Sequence, residues 1–353
     1  MMRILYAYPY RKGKVSFTYV AERHIATLRK AGFHVDAVDN SDTCTILEKC
    51  RDYDIVILHP ATRTILNAHP KFLQKLVRYC RRLVAFDAFD TDMVNKIVSS
   101  ILNMFDIVIV PSNYNAKILK SIGVTNIAVV PHYVDDWFAR GERREDQELR
   151  KIEQLEGYKI LFFLWHSWYR KGADVVLDAW YRLAKSRDDV WLIVKTGRPP
   201  CEYVKMFMFT NRTIVVPYIL SLREIAYLYD ISHIVLVPSR CGAFELNALE
   251  ALIRERVTVV SECPCFREYY KHPIVVKTRK KVPVFYMNEI ENLINNGFGW
   301  DPDPDDLYMK IMYILENYES IREKLRESFD YAKMFTEHHI SELLIKTLQQ
   351  LVK

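Results

Sequence analysis

Two short segments hold the residue types best suited to chemistry. The first, Leu164-Trp165-His166-Ser167-Trp168-Tyr169-Arg170-Lys171-Gly172, closes the apolar run Ile160 to Leu164 with a basic loop and then opens a helical pattern. Lys171 is thereby placed near a helix N-terminus, where backbone N–H groups and the helix dipole already favour anions. The second, Gly242-Ala243-Phe244-Glu245-Leu246-Asn247-Ala248-Leu249-Glu250-Ala251, sets a carboxylate beside an apolar helical stripe. Leu246, Leu249 and Ile253 share that stripe, and Glu250 lies on its shoulder. A cation for phosphate and a carboxylate whose two oxygens can accept from both hydroxyls of a ribose suit a nucleotide diphosphate carrying a group on its far end. The spacing therefore predicts two halves of one phosphate-and-ribose site.

Alternating elements must position those halves. Arg3 to Tyr8, Asp54 to Leu58, Leu83 to Phe86, Ile107 to Val110 and Ile127 to Val130 are apolar, Val- and Ile-rich runs of the kind found in buried parallel strands. Helical patterns such as Thr18 to Ala31 and Ala116 to Ile122 lie between them, the latter stopped by Gly123. A second series follows at Lys159 to Leu164, Val190 to Val194, Thr213 to Val216, Ile234 to Val237 and Val257 to Val260. Repeated βα units imply parallel sheets covered by helices. The expected architecture is α/β, with two facing, doubly wound, Rossmann-like domains and a ligand cleft at the carboxyl ends of the strands. The expected boundaries are 1–140 for the first Rossmann-like domain, 141–157 for a charged linker and 158–334 for the second, nucleotide-binding domain. A C-terminal helix, 335–353, is expected to pack back on the first domain. The run Asp301-Pro302-Asp303-Pro304-Asp305-Asp306 looks like a metal cluster, but prolines followed by a helix read better as a cap.

Composition removes several classes. At 353 residues, half of them apolar and 27% charged, the chain is long enough for two globular cores and shows no disordered bias. A net charge of +6 is modest beside the dense basic face usual in a nucleic-acid binder, which disfavours such a partner without excluding it. Seven cysteines form no CxxC pair, and the Cys263-Pro264-Cys265 pair lacks a second ligand cluster, so reduced thiols in a cytoplasmic protein are expected. No signal-peptide core or spanning apolar run is present. The ten glycines include no GxGxxG, which disfavours a nicotinamide enzyme.

The order and spacing of several pieces resemble the glycosyltransferases of family 4. These are Phe105 to Ser112, Leu119 to Gly123, Val130-Pro131-His132-Tyr133-Val134-Asp135, Lys171-Gly172, Leu249-Glu250-Ala251 and Gly299-Trp300-Asp301-Pro302-Asp303. The resemblance implies the GT-B fold and transfer of a sugar from a nucleotide diphosphate sugar to a glycan, lipid-linked or other hydroxyl acceptor. It further implies retention at the anomeric carbon, with neither a catalytic metal nor a cofactor. Lys171 matches the family lysine that neutralises the donor diphosphate, and Glu250 the glutamate that accepts from the ribose. The chain departs from the pattern where the family has a glutamate eight residues before Glu250 and an arginine five before Lys171; these places hold Gly242 and His166. Glu245, in the loop-to-helix turn, is the substitute carboxylate for the sugar, and His166 a phosphate donor that titrates near neutrality. Gly242, Ala243 and Phe244 supply candidate backbone amides, and Pro217-Tyr218-Ile219 a place for the base.

On the acceptor side the loop Pro9-Tyr10-Arg11-Lys12-Gly13-Lys14 follows the first strand, and Asp87-Ala88-Phe89-Asp90-Thr91-Asp92 follows Leu83 to Phe86. Asp90 is the candidate polar active-site residue, with a helix N-cap at Asp90 or Thr91 as the alternative. Asp90-Thr91-Asp92 also spells the metal-binding triplet of the other glycosyltransferase fold, GT-A, which leaves the second βα series unexplained. Lys71, Lys75, Arg78 and Arg82 form a basic stripe beside Phe72, Leu73, Leu76, Val77 and Cys80. Such a helix either touches an anionic membrane surface or is simply solvated. A nucleotide-sugar epimerase and a binding protein without turnover are the competing functions. Abundant Tyr, Ile, Val, Lys and Arg with little Gln fit a hot habitat.

Overall fold

The computed structural model describes residues 2–10, 15–165, 167–197 and 202–352. The chain divides into two units, Met1–Asp135 with Asn288–Asn296 and Phe335–Lys353, and Asp136–Met287 with Gly297–Met334.

The first unit is a six-stranded parallel sheet. Its strands are β1 (Arg3–Tyr8), β2 (His34–Asp39), β3 (Ile55–Leu58), β4 (Leu83–Phe86), β5 (Ile107–Val110) and β6 (Ile127–Val129), in the order β2-β1-β3-β4-β5-β6. The central strands β3 and β4 are buried at every position because helices cover both faces, which is why they read as unbroken apolar runs. β2 escaped the sequence reading. Its sequence, HVDAVD, mixes apolar with charged residues, as suits a half-covered edge strand. Helix Ser16–Lys30 follows β1, and Ala31 and Gly32 stop it with Gly32 at φ +86°.

The second unit repeats the plan with β7 (Tyr158–Phe163), β8 (Val190–Lys195), β9 (Thr213–Val216), β10 (Ile234–Val237), β11 (Val257–Ser261) and β12 (Ile274–Val276), in the order β12-β11-β10-β7-β8-β9. An antiparallel pair, β13 (Thr278–Pro283) and β14 (Phe298–Pro302), is added to it. Helix Pro304–Glu316 follows β14, capped by Asp303, whose carboxylate accepts from the Asp305 amide at 2.9 Å. Asp303 therefore caps as expected, whereas Asp301 lies in β14 and is 4% exposed.

Two ranges differ from the sequence reading. Residues 141–157 are part of the second unit rather than a linker between two domains. Asp146 caps the helix Gln147–Glu153, Leu149 and Ile152 are buried, and the Tyr227 hydroxyl donates to Glu153 at 2.6 Å. Glu148, Arg150, Lys151 and Glu153 belong to a short amphipathic helix, and the charges from Glu142 to Asp146 lead into it. The basic stripe likewise sits on a helix of only Phe72–Tyr79. Phe72, Leu73 and Leu76 are buried in the core of the first unit, so the apolar face is already covered, and Arg82 lies beyond the helix with its Nε donating to the Leu351 carbonyl at 2.7 Å.

Candidate active site

The second unit has one place where chain direction across the sheet reverses. β7 and β10 are adjacent and parallel, yet the chain proceeds from β7 to β8 and β9 on one side and from β10 to β11 and β12 on the other. Connections leaving in opposite directions open a crevice at the carboxyl ends of those two strands. Both segments singled out in the sequence follow them, residues 164–172 after β7 and 238–245 after β10.

Backbone contact joins the two loops. Gly172 has φ +72°, and a Cβ there would stand 2.3 Å from the Pro238 carbonyl oxygen. Only glycine combines that dihedral with that approach. Helix Ala173–Ser186 starts immediately afterwards, with Lys171 at its threshold. The Arg170 guanidinium donates through Nη1 to Glu245 Oε1 at 3.0 Å and to the Cys241 carbonyl at 3.2 Å. Lys171 Nζ donates to the other carboxylate oxygen, Oε2. Two cations thus share one nearly buried carboxylate at the carboxyl ends of the two strands.

Glu245 occupies a left-handed backbone conformation, φ 56° and ψ 73°, at the start of helix Leu246–Ile253. A non-glycine residue there carries about 1 to 3 kcal/mol of strain, and such strain concentrates at working sites. Its purpose is visible at Gly242, where a Cβ would meet Glu245 Oε1 at 2.5 Å and Cγ at 2.8 Å. The carboxylate of residue 245 fills the volume that a side chain at 242 would need.

Glu250, one turn into the helix and half-buried, accepts from the Tyr229 hydroxyl at 2.9 Å, and Tyr229 also donates to the Asn247 carbonyl at 3.1 Å. Burial drives the Tyr229 phenol well above its ordinary pKa, with the Glu250 charge adding to it, so it remains a donor. Tyr269 donates to the Glu245 carbonyl at 2.8 Å and packs its ring 4.9 Å from that of Phe244. Gly242, Ala243 and Phe244 are all buried in this loop. Lys171, Glu245, Gly242 and Glu250 are thus brought to one helix start, whereas His166 lies outside the described residues, as do Arg11 to Lys14.

The predicted base segment lies beyond β9. The Tyr218 hydroxyl donates to Asp146 Oδ1 at 3.1 Å, and Ile219 is 70% exposed. Lys195, at the end of β8, was missed. Its ammonium is buried and donates to the Thr196 and Tyr218 carbonyls, each at 2.7 Å, and desolvation lowers its pKa to about 8. A lysine ending an apolar strand run was the available signal. Arg170 was overlooked for a simpler reason, being the neighbour of a more obvious cation.

In the first unit the reversal falls between β1 and β3. Asp90 instead follows β4, half-buried, with its backbone N–H donating to Asn295 Oδ1 at 2.9 Å. The next helix begins only at Ile97, so neither Asp90 nor Thr91 is its N-cap. Asp87 is the fully buried carboxylate of that loop, accepting from the Thr62 amide at 2.7 Å and from Arg63 Nη1 at 3.2 Å. Beside the reversal the Tyr6 hydroxyl lies 2.9 Å from Nδ1 of both His24 and His59. Burial holds both imidazoles neutral, that of His24 at about 3, and the rings of Phe86 and His132 continue the cluster. His59-Pro60 directly after a strand was the signal for it.

Two α/β units, each a six-stranded parallel sheet, are the GT-B fold, which removes the GT-A reading of Asp90-Thr91-Asp92. Residues 157–317 match the family described as Glycosyl transferases group 1. With that domain in that fold, the chain is a glycosyltransferase. It is 27% identical to uncharacterized protein 356 of Sulfolobus islandicus rod-shaped virus 1, over 98% of each chain. It is also 23% identical to putative glycosyltransferase 45 of a Sulfolobus islandicus filamentous virus, over 68% of this chain and 66% of that one. Among solved structures, Anabaena HepE in complex with UDP and glucose superposes with a TM-score of 0.75 at 14% identity, covering 99% of this chain and 100% of that one. That likeness speaks for the fold.

Proposed function

We propose that the chain is a family-4-like, retaining, metal-independent glycosyltransferase that takes its sugar from a nucleotide diphosphate sugar. The observation that carries this reading is the sharing of Glu245 by Arg170 and Lys171 at the β7/β10 reversal. A diphosphate entering there meets two cations held by a single carboxylate. As the bond from sugar to phosphate breaks, negative charge grows on the leaving oxygen, and fixed ammonium and guanidinium groups stabilise it more than the ground state. Glu250 accepts from the ribose hydroxyls, Glu245 from a hydroxyl of the transferred sugar, and Lys195 fixes the Tyr218-Ile219 turn against the base. Asp90 serves the acceptor. The acceptor is a carbohydrate or a lipid-linked sugar, and Lys71, Lys75 and Arg78 give the first unit an exposed basic patch for an anionic membrane surface.

The test is incubation with a panel of nucleotide sugars, with and without chelator, followed by assay of released nucleoside diphosphate and NMR of the product's anomeric proton. Release that persists in chelator, with the donor's anomeric configuration kept in the product, is expected. Binding without release defeats the enzyme reading. Inversion, or activity restored only by manganese, defeats its finer terms.

A further inference from the structure

Arg240 stands two residues before Gly242 and has a side chain only 2% exposed. Four hydrogen bonds engage all three of its nitrogens. Nε donates to Asp301 Oδ1 at 2.9 Å, Nη1 to the Tyr169 carbonyl at 2.5 Å and Asp174 Oδ1 at 2.8 Å, and Nη2 to Asp174 Oδ2 at 2.7 Å, while Nη2 also lies within ion-pair distance, 2.7 Å, of Asp301 Oδ1. The guanidinium carbon lies 3.9 Å from the centre of the Tyr169 ring. Its backbone is equally committed. The Arg240 amide donates to the Arg170 carbonyl at 2.7 Å, and the Arg240 carbonyl accepts from the Trp300 amide at 2.7 Å. Arg279 takes the second oxygen of Asp301 at 2.8 Å, so two cations balance two carboxylates.

This cluster is expensive as a source of stability, since a buried ion network seldom outperforms well-packed apolar residues. Its value lies in what it joins: the loop carrying Arg170 and Lys171, the first turn of helix Ala173–Ser186 through Asp174, and β14 through Asp301. Arg240 itself belongs to the loop carrying Gly242 and Glu245. We propose that Arg240 is the positioning residue of the donor site, fixing the Arg170-Lys171 loop against the Gly242–Glu245 loop without touching the donor. Lysine cannot replace it, because three N–H bonds on a point charge do not reproduce a planar fork with five. A displacement of about 1 Å in catalytic groups costs about a hundredfold in rate.

The inference rests on the proposed donor site, and the experiment separates the two. Calorimetric binding of UDP, GDP and ADP, steady-state kcat and KM, and thermal melting are measured on the full chain, wild type against Arg240→Lys and Arg240→Met, well below each variant's melting midpoint. With a nucleotide that wild type binds, Arg240→Lys is expected to weaken binding by about tenfold or more and to lower kcat more than it raises KM, with Arg240→Met worse on both counts. A folded Arg240→Lys chain with wild-type binding and kcat overturns the inference, even if it melts earlier. Failure of wild type to bind any of the three nucleotides overturns the donor-site reading instead. Should both Arg240 variants fail to fold, Asp301→Asn leaves the Asp174 and Tyr169 contacts in place. A several-fold loss of kcat with near-normal melting supports positioning, and unchanged kcat overturns it.

Discussion

The same sheet plan ends in opposite electrostatics in the two units. At its reversal the second unit gathers Arg170, Lys171 and Glu245, with Arg240, Asp174 and Asp301 beside them. The first unit places Tyr6, His24, His59 and Phe86 at its own, all buried and neutral. One end is charged at rest, ready to neutralise an incoming anion. The other is kept uncharged by burial and becomes charged only in acid. Topology supplies a crevice in both units, and side-chain chemistry decides what each can receive.

The largest break in this contrast comes from removing a cation at the charged end. Lys171→Ala is expected to lower kcat/KM by about a hundredfold to a thousandfold, the range for losing a preorganised group that stabilises developing charge. Melting should change little, since Glu245 retains Arg170. Steady-state kinetics beside a thermal scan checks both halves.

Acid should attack the neutral end. His24 has its pKa depressed from an ordinary value of about 6.5 to about 3. The unfolded chain therefore takes up the proton first. The stability contributed by neutral His24 is complete above the ordinary value and declines as pH falls towards the folded one. At pH 5 the loss from this group alone is about 2 kcal/mol. His59, depressed by burial and by neighbouring His24, His132 and Arg63, adds to it in the same direction. All six tryptophans lie in the second unit, so their fluorescence reports that unit alone. The protection factors of the β1 and β3 amides, corrected for the intrinsic exchange rate at each pH, should fall between neutral pH and pH 5, and His24→Gln should flatten that dependence. An unaltered slope in His24→Gln counts against the buried neutral cluster.

A smaller effect is expected at Gly242. Gly242→Ala places a methyl group against Glu245 Oε1 and Cγ, displacing the carboxylate from Arg170 and Lys171 and lowering kcat/KM by about tenfold. The smallest lies on the surface. Replacing Lys71, Lys75 and Arg78 together by Gln should weaken sedimentation with vesicles rich in anionic lipid by a few-fold at low salt, about 0.3 kcal/mol per charge and below the ~1 kcal/mol of a cation held close to the surface. Indifference to lipid charge in the wild type removes the membrane contact.

Much of the fold was legible because buried parallel strands advertise themselves. IVIL at β3, LVAF at β4 and IVLV at β10 are continuous apolar runs with no alternation to interpret. β2 and the β13–β14 pair were not, since half-covered strands admit polar residues and lose that signature, and β12, IVV, is apolar but only three residues long. Lys171 and Glu250 were legible because a glycine at a helix start and an apolar stripe framed them. The ion network around Arg240 was not: its partners Asp174 and Asp301 are 66 and 61 residues distant along the chain, and no local pattern connects them. The histidine cluster is hidden for the same reason. Tyr6, His24 and His59 meet only because β1 and β3 pair in the sheet and helix Ser16–Lys30 packs over them. Beside the basic stripe, Phe72, Leu73 and Leu76 are claimed by the core, so the exposed cations rather than an apolar face are what remains for a surface contact.

The left-handed turn at Glu245 also constrains how this chain can change over generations. Positions 242 and 245 hold one carboxylate between them in space, so a larger residue at 242 is tolerated only once 245 has given up its own. The two sites are expected to drift as a pair. A motif scan keyed to an acid eight places ahead of Glu250 would pass over this protein, whose nearest carboxylate to that place is Glu245, packed against Gly242.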